Sequence, residues 1–127
     1  MGVRPNDDYL EEVAKLGMGI SVSATVKNEG PIQTAQDALD TMTAANAGFW
    51  IHMNCDAIDE SEMSAMDCPE PDGLSFETLE QVLQPLVASP SCLGMHVTIY
   101  DPDLDPNGHT AGRLIETISG AFQGRPS

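Results

Sequence analysis

The sequence predicts an α/β fold in which helices cover both faces of a parallel sheet. Segments with the three- and four-residue apolar spacing of amphipathic helices alternate along the chain with short runs typical of strands. Two of these runs, GFWIHM at 48–53 and LGMHVTIY at 93–100, are almost continuously apolar, as buried parallel strands are. This alternation predicts a three-layer α/β/α arrangement.

Before the first buried run, the chain is predicted to form a helix, a strand and a second helix. Residues 7–16, DDYLEEVAKL, place apolar side chains at helical spacing. Residues 18–26, MGISVSATV, alternate apolar with polar side chains, which predicts a strand with one polar face near a sheet edge. From Ile32 to Asn46 the apolar residues again recur every three or four positions, which predicts a longer amphipathic helix.

After that run we expect a long loop, a helix, the second strand and a closing helix. The loop at 57–73 is rich in acids and prolines, and long irregular loops in compact domains tend to be functional. Ser75 is the predicted N-cap of the next helix. A single domain spanning 1–127 is expected, since this length has room for one core. The last helix, 110–122, is predicted to direct four apolar side chains inward: Leu114, Ile115, Ile118 and Phe122.

The charge of the chain narrows the classes of partner. Twenty acids against five basic residues give a formal net charge of −15. Nucleic acid and anionic membrane surfaces need a positive field, so neither is an expected partner. Because the acids concentrate between Asp56 and Asp105, cationic ligands or metal ions fit this composition better.

The cysteines and the hydropathy predict a cytoplasmic protein. Cys55, Cys68 and Cys92 are odd in number and widely spaced, which matches neither a disulfide scaffold nor a C-x-x-C zinc motif, so reduced thiols are expected. No apolar run approaches the roughly 20 residues of a membrane span. The polar start MGVRPNDD lacks the apolar core of a signal peptide.

Polar side chains lie at the carboxyl end of the first buried strand. If the strand stays extended, His52, Asn54 and Asp56 point to one face at its carboxyl end, which is where α/β sheets bind ligands. Oxygen ligands there suit manganese or magnesium, although the Asn54 amide is neutral and bridges two cations poorly. The alternative is that this polar strand end caps neighbouring helices, and the spacing alone does not choose between the two.

A family resemblance covers most of the chain. HMNCDAIDESEMSAMDCPEPDGLS, residues 52–75, aligns without a gap with the C-terminal metal-binding signature of the arginase/agmatinase (ureohydrolase) family, S-x-D-x-D-x-x-D-P followed by a loop ending in G-G-L-[ST]. GMHVTIYDPDLDP, residues 94–106, is similar to the family's last sheet strand, and VRPND near the start resembles its G-x-R-x-x-D element. The resemblance implies a partial arginase-like fold and a dinuclear manganese site that hydrolyses guanidines.

Carried over by position, the resemblance assigns candidate site residues. Asn54 takes the place of the aspartate that bridges both metals, and Asp56 that of an aspartate on one metal. Asp59 corresponds to an aspartate behind the ligands, and we expect His52 to support the ligands in the same way. Two further residues are expected at the substrate pocket, Cys68 in place of a threonine and Ile99 where arginases carry a glutamate that grips the guanidinium. Glu60 and Asp72 replace the motif's proline and its first loop glycine.

The rest of the family's site does not occur in this sequence. The G-G-D-H and D-A-H-x-D elements that supply the other ligands are missing, and family members are more than twice as long. The resemblance therefore predicts an arginase-like C–N hydrolase of linear amidines, with a guanidino or amidino substrate, whose metal site is incomplete in this chain. The alternative is a non-catalytic domain that binds a partner or weakly binds divalent metal.

Two further expectations concern assembly and a second acidic motif. A partial parallel sheet exposes a strand edge, so a homo-oligomer or an assembly with a full-length homologue is predicted.

DLDPNG at 103–108 matches the first half of an EF-hand loop, but Leu114 stands where a bidentate glutamate is required. A turn that caps the last helix is therefore the favoured interpretation of this motif. His52 and His96 are interpreted as hydrogen-bonded structural histidines more readily than as ligands.

Overall fold

The computed structural model describes residues 10–44, 47–67, 69 and 71–125. Within these ranges, three helices precede the first of two strands and a helix follows each strand, which agrees with the predicted α/β class. Short 3-10 turns follow both strands, at Cys55–Ala57 and Pro102–Leu104. The regular elements in chain order are α1 Leu10–Lys15, α2 Ser23–Glu29, α3 Pro31–Thr43, β1 Phe49–Asn54, α4 Phe76–Ala88, β2 Cys92–Thr98 and α5 His109–Gln123.

The two strands pair in parallel, which confirms the predicted sheet direction. β1 runs beside β2 in register from Trp50 opposite Gly94 to Asn54 opposite Thr98, with one irregularity between Phe49 and Trp50. The connection between them contains α4, as a parallel pair requires. Both carboxyl ends therefore lie at the same edge of the sheet.

The core lies on the side of the sheet that faces α4 and α5. These two helices pack against each other, α3 packs on α4, and α2 packs on α3. Met53 of β1 is 4% exposed and belongs to the same apolar cluster as the buried faces of both helices. Ser75 caps α4 as predicted, since its hydroxyl accepts a hydrogen bond from the Thr78 N–H at 3.1 Å. The remaining cluster members include Ile58, Met63, Met66, Phe76, Leu79, Leu83, Val87, Leu114 and Ala121.

The predicted strand at 18–26 is wrong, because this segment contains helix α2. Helix α2 begins at Ser23, and the Val26 N–H donates to the Val22 carbonyl at 3.1 Å. Val22 and Val26 are four residues apart, so the same apolar residues that suggest alternation also define one turn of a helix. Val26 is buried on the element that packs against α3, and this tertiary contact outweighs the β preference of the sequence.

The inward face of α5 differs from the predicted one. Leu114, Thr117 and Ala121 are buried, and Ile118 packs against the core, so the stripe follows the three- and four-residue spacing of a helix. Ile115 is 63% exposed, which corrects its assignment to the core, and Phe122 is 36% exposed. Counting apolar residues alone does not find this face, because a threonine and an alanine belong to it.

The acidic loop between β1 and α4 is packed against the fold. An isolated parallel bridge joins Ile58 to Leu74, and Met63 and Met66 are almost completely buried. The Glu62 carboxylate accepts hydrogen bonds from the Phe76 N–H at 2.9 Å and from the Arg113 guanidinium at 3.3 Å. The loop is thereby fixed to the beginning of α4 and to α5.

The first and third helices begin close to their predicted positions. The predicted N-terminal helix is seen as α1, and its predicted start at residue 7 lies outside the described residues. Pro31 is the first residue of α3, where its missing N–H costs nothing, so α3 begins one residue earlier than predicted. No helix within the described ranges has the length and apolarity needed to cross a membrane.

Candidate functional site

Asn54 and Asp56 lie at the carboxyl end of β1, where the resemblance places metal ligands. The Asn54 side-chain oxygen accepts a hydrogen bond from the Asp56 N–H at 3.3 Å and caps the 3-10 turn Cys55–Ala57. This is the local bond that asparagine commonly makes to the backbone two residues ahead. The prediction of one extended face agrees with β1 for His52 and Asn54 and is wrong for Asp56, because Asp56 belongs to the 3-10 turn that follows the strand. Their roles as ligands stay a prediction.

His52 lies on the face of the sheet opposite the core and contacts His96 of β2. The two residues are register partners, and their rings meet edge to face with centroids 4.4 Å apart. Nδ1 of His52 contacts Nε2 of His96. The Trp50 indole N–H donates to Nδ1 of His96 at 2.6 Å, and the Thr98 hydroxyl lies 3.4 Å from Nε2 of His52. The prediction of hydrogen-bonded histidines agrees with these contacts, although both side chains are exposed.

Asp59 lies just beyond the 3-10 turn and forms a small turn of its own. Its carboxylate accepts hydrogen bonds from the hydroxyl of Ser61 and from the Ser61 N–H at 3.0 Å. The hydrogen bond from the Ser61 hydroxyl, with smaller contributions from backbone N–H groups and from Lys27, lowers the pKa of Asp59. The Asp59 side chain therefore stays ionised to lower pH than an ordinary aspartate.

The end of the acidic loop explains two residues of the family-like motif. A Cβ on Gly73 would lie 2.4 Å from the Asp59 backbone nitrogen, so only glycine fits there. Asp72 has φ 65°, in the left-handed region that favours glycine. The sequence carries an aspartate where the resemblance expects the first glycine of G-G-L, and aspartate is among the few residues that tolerate this backbone. The Lys27 ammonium donates to the Asp72 carbonyl at 3.3 Å.

The end of β2 brings an apolar residue to the same edge of the sheet. Ile99 follows the last strand residue, is 47% exposed and has φ 69°. A β-branched residue with this backbone is a genuine outlier, and such strain often occurs at functional sites. The next residues join the loop after β1, because the Asp101 N–H donates to the Ala65 carbonyl at 3.0 Å. Cys68, the other predicted pocket residue, lies outside the described residues.

The second acidic motif caps α5, as its favoured interpretation predicts. The Asp105 carboxylate accepts hydrogen bonds from the Ala111 N–H at 2.8 Å and from the Tyr100 hydroxyl at 3.0 Å. The backbone hydrogen bond from Ala111 is the main cause of a lowered pKa of Asp105. Burial, followed by the bond to Asp105, raises the pKa of Tyr100. These contacts explain the motif by helix capping alone.

The described residues do not by themselves fit a dinuclear manganese site. Among them, no three His, Cys, Asp or Glu side chains converge closely enough to hold a metal ion. Divalent manganese prefers about six ligands, mostly oxygens. Asn54 contributes a neutral oxygen that is already used as a turn cap. The strand ends can therefore provide one part of a metal site, with the other ligands supplied from elsewhere.

Comparison with known families and structures identifies the fold. The model of the arginase family matches residues 1–121. The chain belongs to the arginase family. No curated protein matches its sequence significantly. The family match over residues 1–121 confirms the resemblance drawn from the motifs at 52–75 and 94–106, and it confirms the predicted fold class.

Solved structures of arginase-family enzymes superpose on nearly the whole chain. Formimidoylglutamase from Bacillus subtilis is 21% identical with a TM-score of 0.84, and the match covers 97% of this chain and 40% of that enzyme. Arginase from Entamoeba histolytica, solved with L-ornithine, is 18% identical with a TM-score of 0.82, covering 95% and 41%. Formiminoglutamase from Trypanosoma cruzi, solved with Mn2+, is 17% identical with a TM-score of 0.75, covering 91% and 40%. The chain thus spans about two fifths of these enzymes.

Sequence reasoning missed the contacts that join separate segments. Trp50 was not expected to contact His96, and Glu62 was not expected to connect α4 with Arg113 of α5. The first contact depends on the register of β1 against β2, which places Trp50 opposite Gly94, two residues before His96. The cap formed by Asn54 had a local signal, an asparagine two residues before an N–H at a strand end.

Proposed function

We propose that this chain forms the C-terminal wall of an arginase-family hydrolase site for a linear amidine, in which most ligands of two manganese ions come from the N-terminal part of the fold. The observation that carries the proposal is the position of Asn54 and Asp56 at the carboxyl end of β1, beside the carboxyl end of β2, in an arginase-like fold. Ligands of open α/β sheets bind at these strand ends.

The residues of the wall have distinct roles in this proposal. Asp56 offers the carboxylate that a hard divalent cation prefers, and Asn54 offers a neutral oxygen beside it. Asp59 remains ionised and adds negative charge near the site, since hydrogen bonds from Ser61 lower its pKa. Ile99 places an apolar side chain at the end of β2, where a carboxylate would grip a guanidinium. Cys68 is expected to line the substrate pocket.

The substrate class follows from the relatives and from Ile99. The similar structures are named formimidoylglutamase and arginase, and the family resemblance implies hydrolysis of linear amidines. Because Ile99 stands directly after β2, this chain has no carboxylate at that position to hold a charged guanidinium. We therefore propose a linear amidine that is held mainly through groups other than its amidinium, in preference to free arginine.

A non-catalytic role is the second candidate, and the Asn54 cap favours it. Because the Asn54 oxygen is bound to the Asp56 N–H, the strand end is complete without a metal. A domain of this kind would keep the arginase fold as an assembly partner and bind divalent cations weakly. The two candidates differ in what Asp56 does, since only the hydrolase needs its carboxylate.

The test combines this chain with an N-terminal arginase-family segment. The segment is the part of Bacillus subtilis formimidoylglutamase that precedes its match to this chain, coexpressed with this chain and supplied with manganese. Calorimetry measures manganese binding, and product release is followed with formimidoylglutamate and with arginine. Asp56→Ala and Asn54→Asp are compared with the native chain, and Asp103→Asn, which removes an exposed acid after the other strand, is the matched control.

The hydrolase proposal predicts a definite pattern. The isolated chain releases no product, the complex does, Asp56→Ala abolishes release, and Asp103→Asn leaves it unchanged. Asn54→Asp is expected to tighten manganese binding about tenfold, since a charged oxygen replaces a neutral one. A complex that forms but remains inactive with both substrates, in native and Asn54→Asp form alike, contradicts the hydrolase and supports the assembly partner.

A further inference from the structure

Asn107 and Gly108 are the part of the DLDPNG motif that the capping of α5 by Asp105 does not use. Both residues are exposed in a turn just before α5, and the Gly108 N–H donates to the Asp105 carbonyl at 2.9 Å. Gly108 has φ 67°, and a Cβ at this position would meet no described atom within 4 Å. An asparagine amide and an unhindered backbone nitrogen therefore lie next to each other at the surface.

An asparagine followed by glycine can react with its own backbone, because glycine has no side chain to hinder the attack. The Gly108 nitrogen bonds to Cγ of Asn107 and closes a five-membered succinimide. The amide nitrogen of Asn107 leaves as ammonia and takes the proton that the Gly108 nitrogen gives up. Water then opens the ring at one of its two carbonyl groups. The product is an aspartate or an isoaspartate, and in the isoaspartate the main chain runs through the former side chain.

The other asparagines have less favourable surroundings for this reaction. No other asparagine of the sequence is followed by glycine. Asn28 is exposed, but it precedes a glutamate inside α2, where the helix holds the following backbone nitrogen. Asn54 is half-buried, and its amide oxygen already accepts a hydrogen bond from the Asp56 N–H. Asn107 therefore combines exposure, a glycine neighbour and a place outside the helices and strands.

One hydrogen bond of the turn opposes the reaction in the folded chain. The Gly108 N–H has to leave the Asp105 carbonyl before its nitrogen can lose the proton and attack. A neutral hydrogen bond in an exposed turn slows such a step by about tenfold at most, since exposed turns open without unfolding the rest of a protein. The fold therefore slows the reaction at Asn107 without preventing it.

The reacting residues lie inside the loop with which Asp105 caps α5. The Asp105 carboxylate accepts a hydrogen bond from the Ala111 N–H at 2.8 Å, and its backbone carbonyl accepts one from the Gly108 N–H. The succinimide has no N–H at position 108, so the second bond is lost when the ring closes. An isoaspartate adds one carbon to the main chain between Asp105 and Ala111, which changes the spacing on which the cap depends.

We propose that Asn107 and Gly108 form a site of spontaneous covalent modification, whose isoaspartyl product loosens the cap of α5. The proposal goes beyond the hydrolase and is independent of it, because no residue of the proposed wall takes part. The aspartyl product keeps the length of the main chain and places a negative charge near the N-terminus of α5, so it preserves the cap. The two products therefore differ in their effect on the helix.

The first measurement follows each asparagine while the purified full chain is kept in buffer made with heavy-oxygen water. Peptide mass spectrometry with electron-transfer fragmentation locates the incorporated oxygen and distinguishes aspartate from isoaspartate. Asn107 is expected to convert about tenfold faster than Asn28, which is exposed but held in a helix, and within about tenfold of its own rate in urea. Asn107→Gln should stop the conversion at this position, because its longer side chain would have to close a larger ring.

The second measurement is hydrogen exchange in the isoaspartyl form, separated from the unmodified chain by chromatography. The Ala111 N–H is expected to exchange about fivefold faster than in the unmodified chain, as the loss of one helix cap predicts. The Leu74 N–H, which donates to the Ala57 carbonyl at 2.9 Å in the acidic loop, is the internal control and should not change. Asn107→Asp, which produces the aspartyl form directly, should leave exchange at Ala111 as in the native chain.

Three results would overturn the proposal. The first is equal conversion of Asn107 and Asn28 in the folded chain. The second is a native rate at Asn107 more than about 100-fold below the rate in urea, which a single hydrogen bond cannot cause. The third is an isoaspartyl form in which the Ala111 N–H exchanges as in the unmodified chain. Circular dichroism of Asn107→Gln and Asn107→Asp checks that both variants keep the native helices.

Discussion

The two faces of the small sheet are built from the same strands but differ in chemistry. On one face, Ile51, Met53 and Met95 pack against the core cluster. On the other, Trp50, His52 and His96 are exposed and joined by hydrogen bonds. The covered face is apolar and specifies the fold of this chain, whereas the exposed face is polar, uncharged and internally paired. The comparison shows that two faces of one sheet can be ordered in different ways, one by apolar packing and the other by hydrogen bonds between exposed side chains.

Truncation on the two faces should have very different effects on stability. Met53→Ala removes a buried side chain and is expected to lower the free energy of unfolding by about 2 to 5 kcal/mol. Trp50→Ala removes a larger side chain but should cost less than about 1 kcal/mol in the isolated chain, since Trp50 is half-exposed. Urea unfolding followed by circular dichroism at pH 7 measures both. Equal losses would show that the exposed face is packed in solution.

The reactivity of the Cys55 thiol, which directly follows β1, measures how deeply this part of the core is buried. Burial, with a smaller contribution from Asp56, raises the pKa of Cys55 from 9.0 to about 11. At pH 8 its alkylation by iodoacetamide should be about 100-fold slower than in urea, because the thiolate is the reactive form. The stability that this neutral thiol contributes is present below pH 9 and is lost as the pH rises through 11. Peptide mass spectrometry measures the rate at Cys55, and rapid native alkylation would contradict the assigned burial.

Ile99, which follows β2 with φ 69°, tests whether the backbone is strained at the end of the sheet. Ile99→Gly should relieve the left-handed backbone and raise the free energy of unfolding by about 0.5 to 1 kcal/mol. The matched control is Ile115→Gly, which makes the same change at an exposed helical position and should lower stability by about 1 kcal/mol. Thermal unfolding of the two variants against the native chain gives the signs. A loss at Ile99 similar to that at Ile115 would rule out strain there.

The smallest expected effect concerns the hydrogen bond from the Trp50 indole N–H to Nδ1 of His96. A double-mutant cycle of Trp50→Phe and His96→Ala should give a coupling of about 0.5 to 1 kcal/mol in the isolated chain, typical of one exposed neutral hydrogen bond. Urea unfolding of the four proteins provides the cycle. No measurable coupling would mean that hydrogen bonds to water replace this bond in solution.

Much of the fold could be predicted from local patterns. The apolar runs predicted both strands, and the Ser75 cap predicted the start of α4, because these signals lie within a few neighbouring residues. The strand predicted at 18–26 failed because a seven-residue helix and a short alternating strand can share the same apolar spacing. The packing of α2 on α3 decides between them, and that contact has no local signal.

The candidate site was predicted only as far as the motif reaches. The family resemblance pointed to Asn54, Asp56 and Asp59, which lie at the last position of β1 and in the segment that follows it. It did not find the 3-10 turn, because an asparagine side chain and the backbone two residues ahead decide that geometry. The pairing of His52 with His96 depends on strand register over 44 residues of separation, which a motif does not encode.

The cap made by Asn54 has a practical consequence for handling the protein. The Asn54 amide is neutral and hydrogen-bonded to the Asp56 N–H, so this strand end carries one negative charge fewer than an aspartate at position 54 would give it. Stripping the chain with a chelator should therefore leave its circular dichroism and its unfolding midpoint unchanged. Purification without added metal is therefore expected to yield a folded chain.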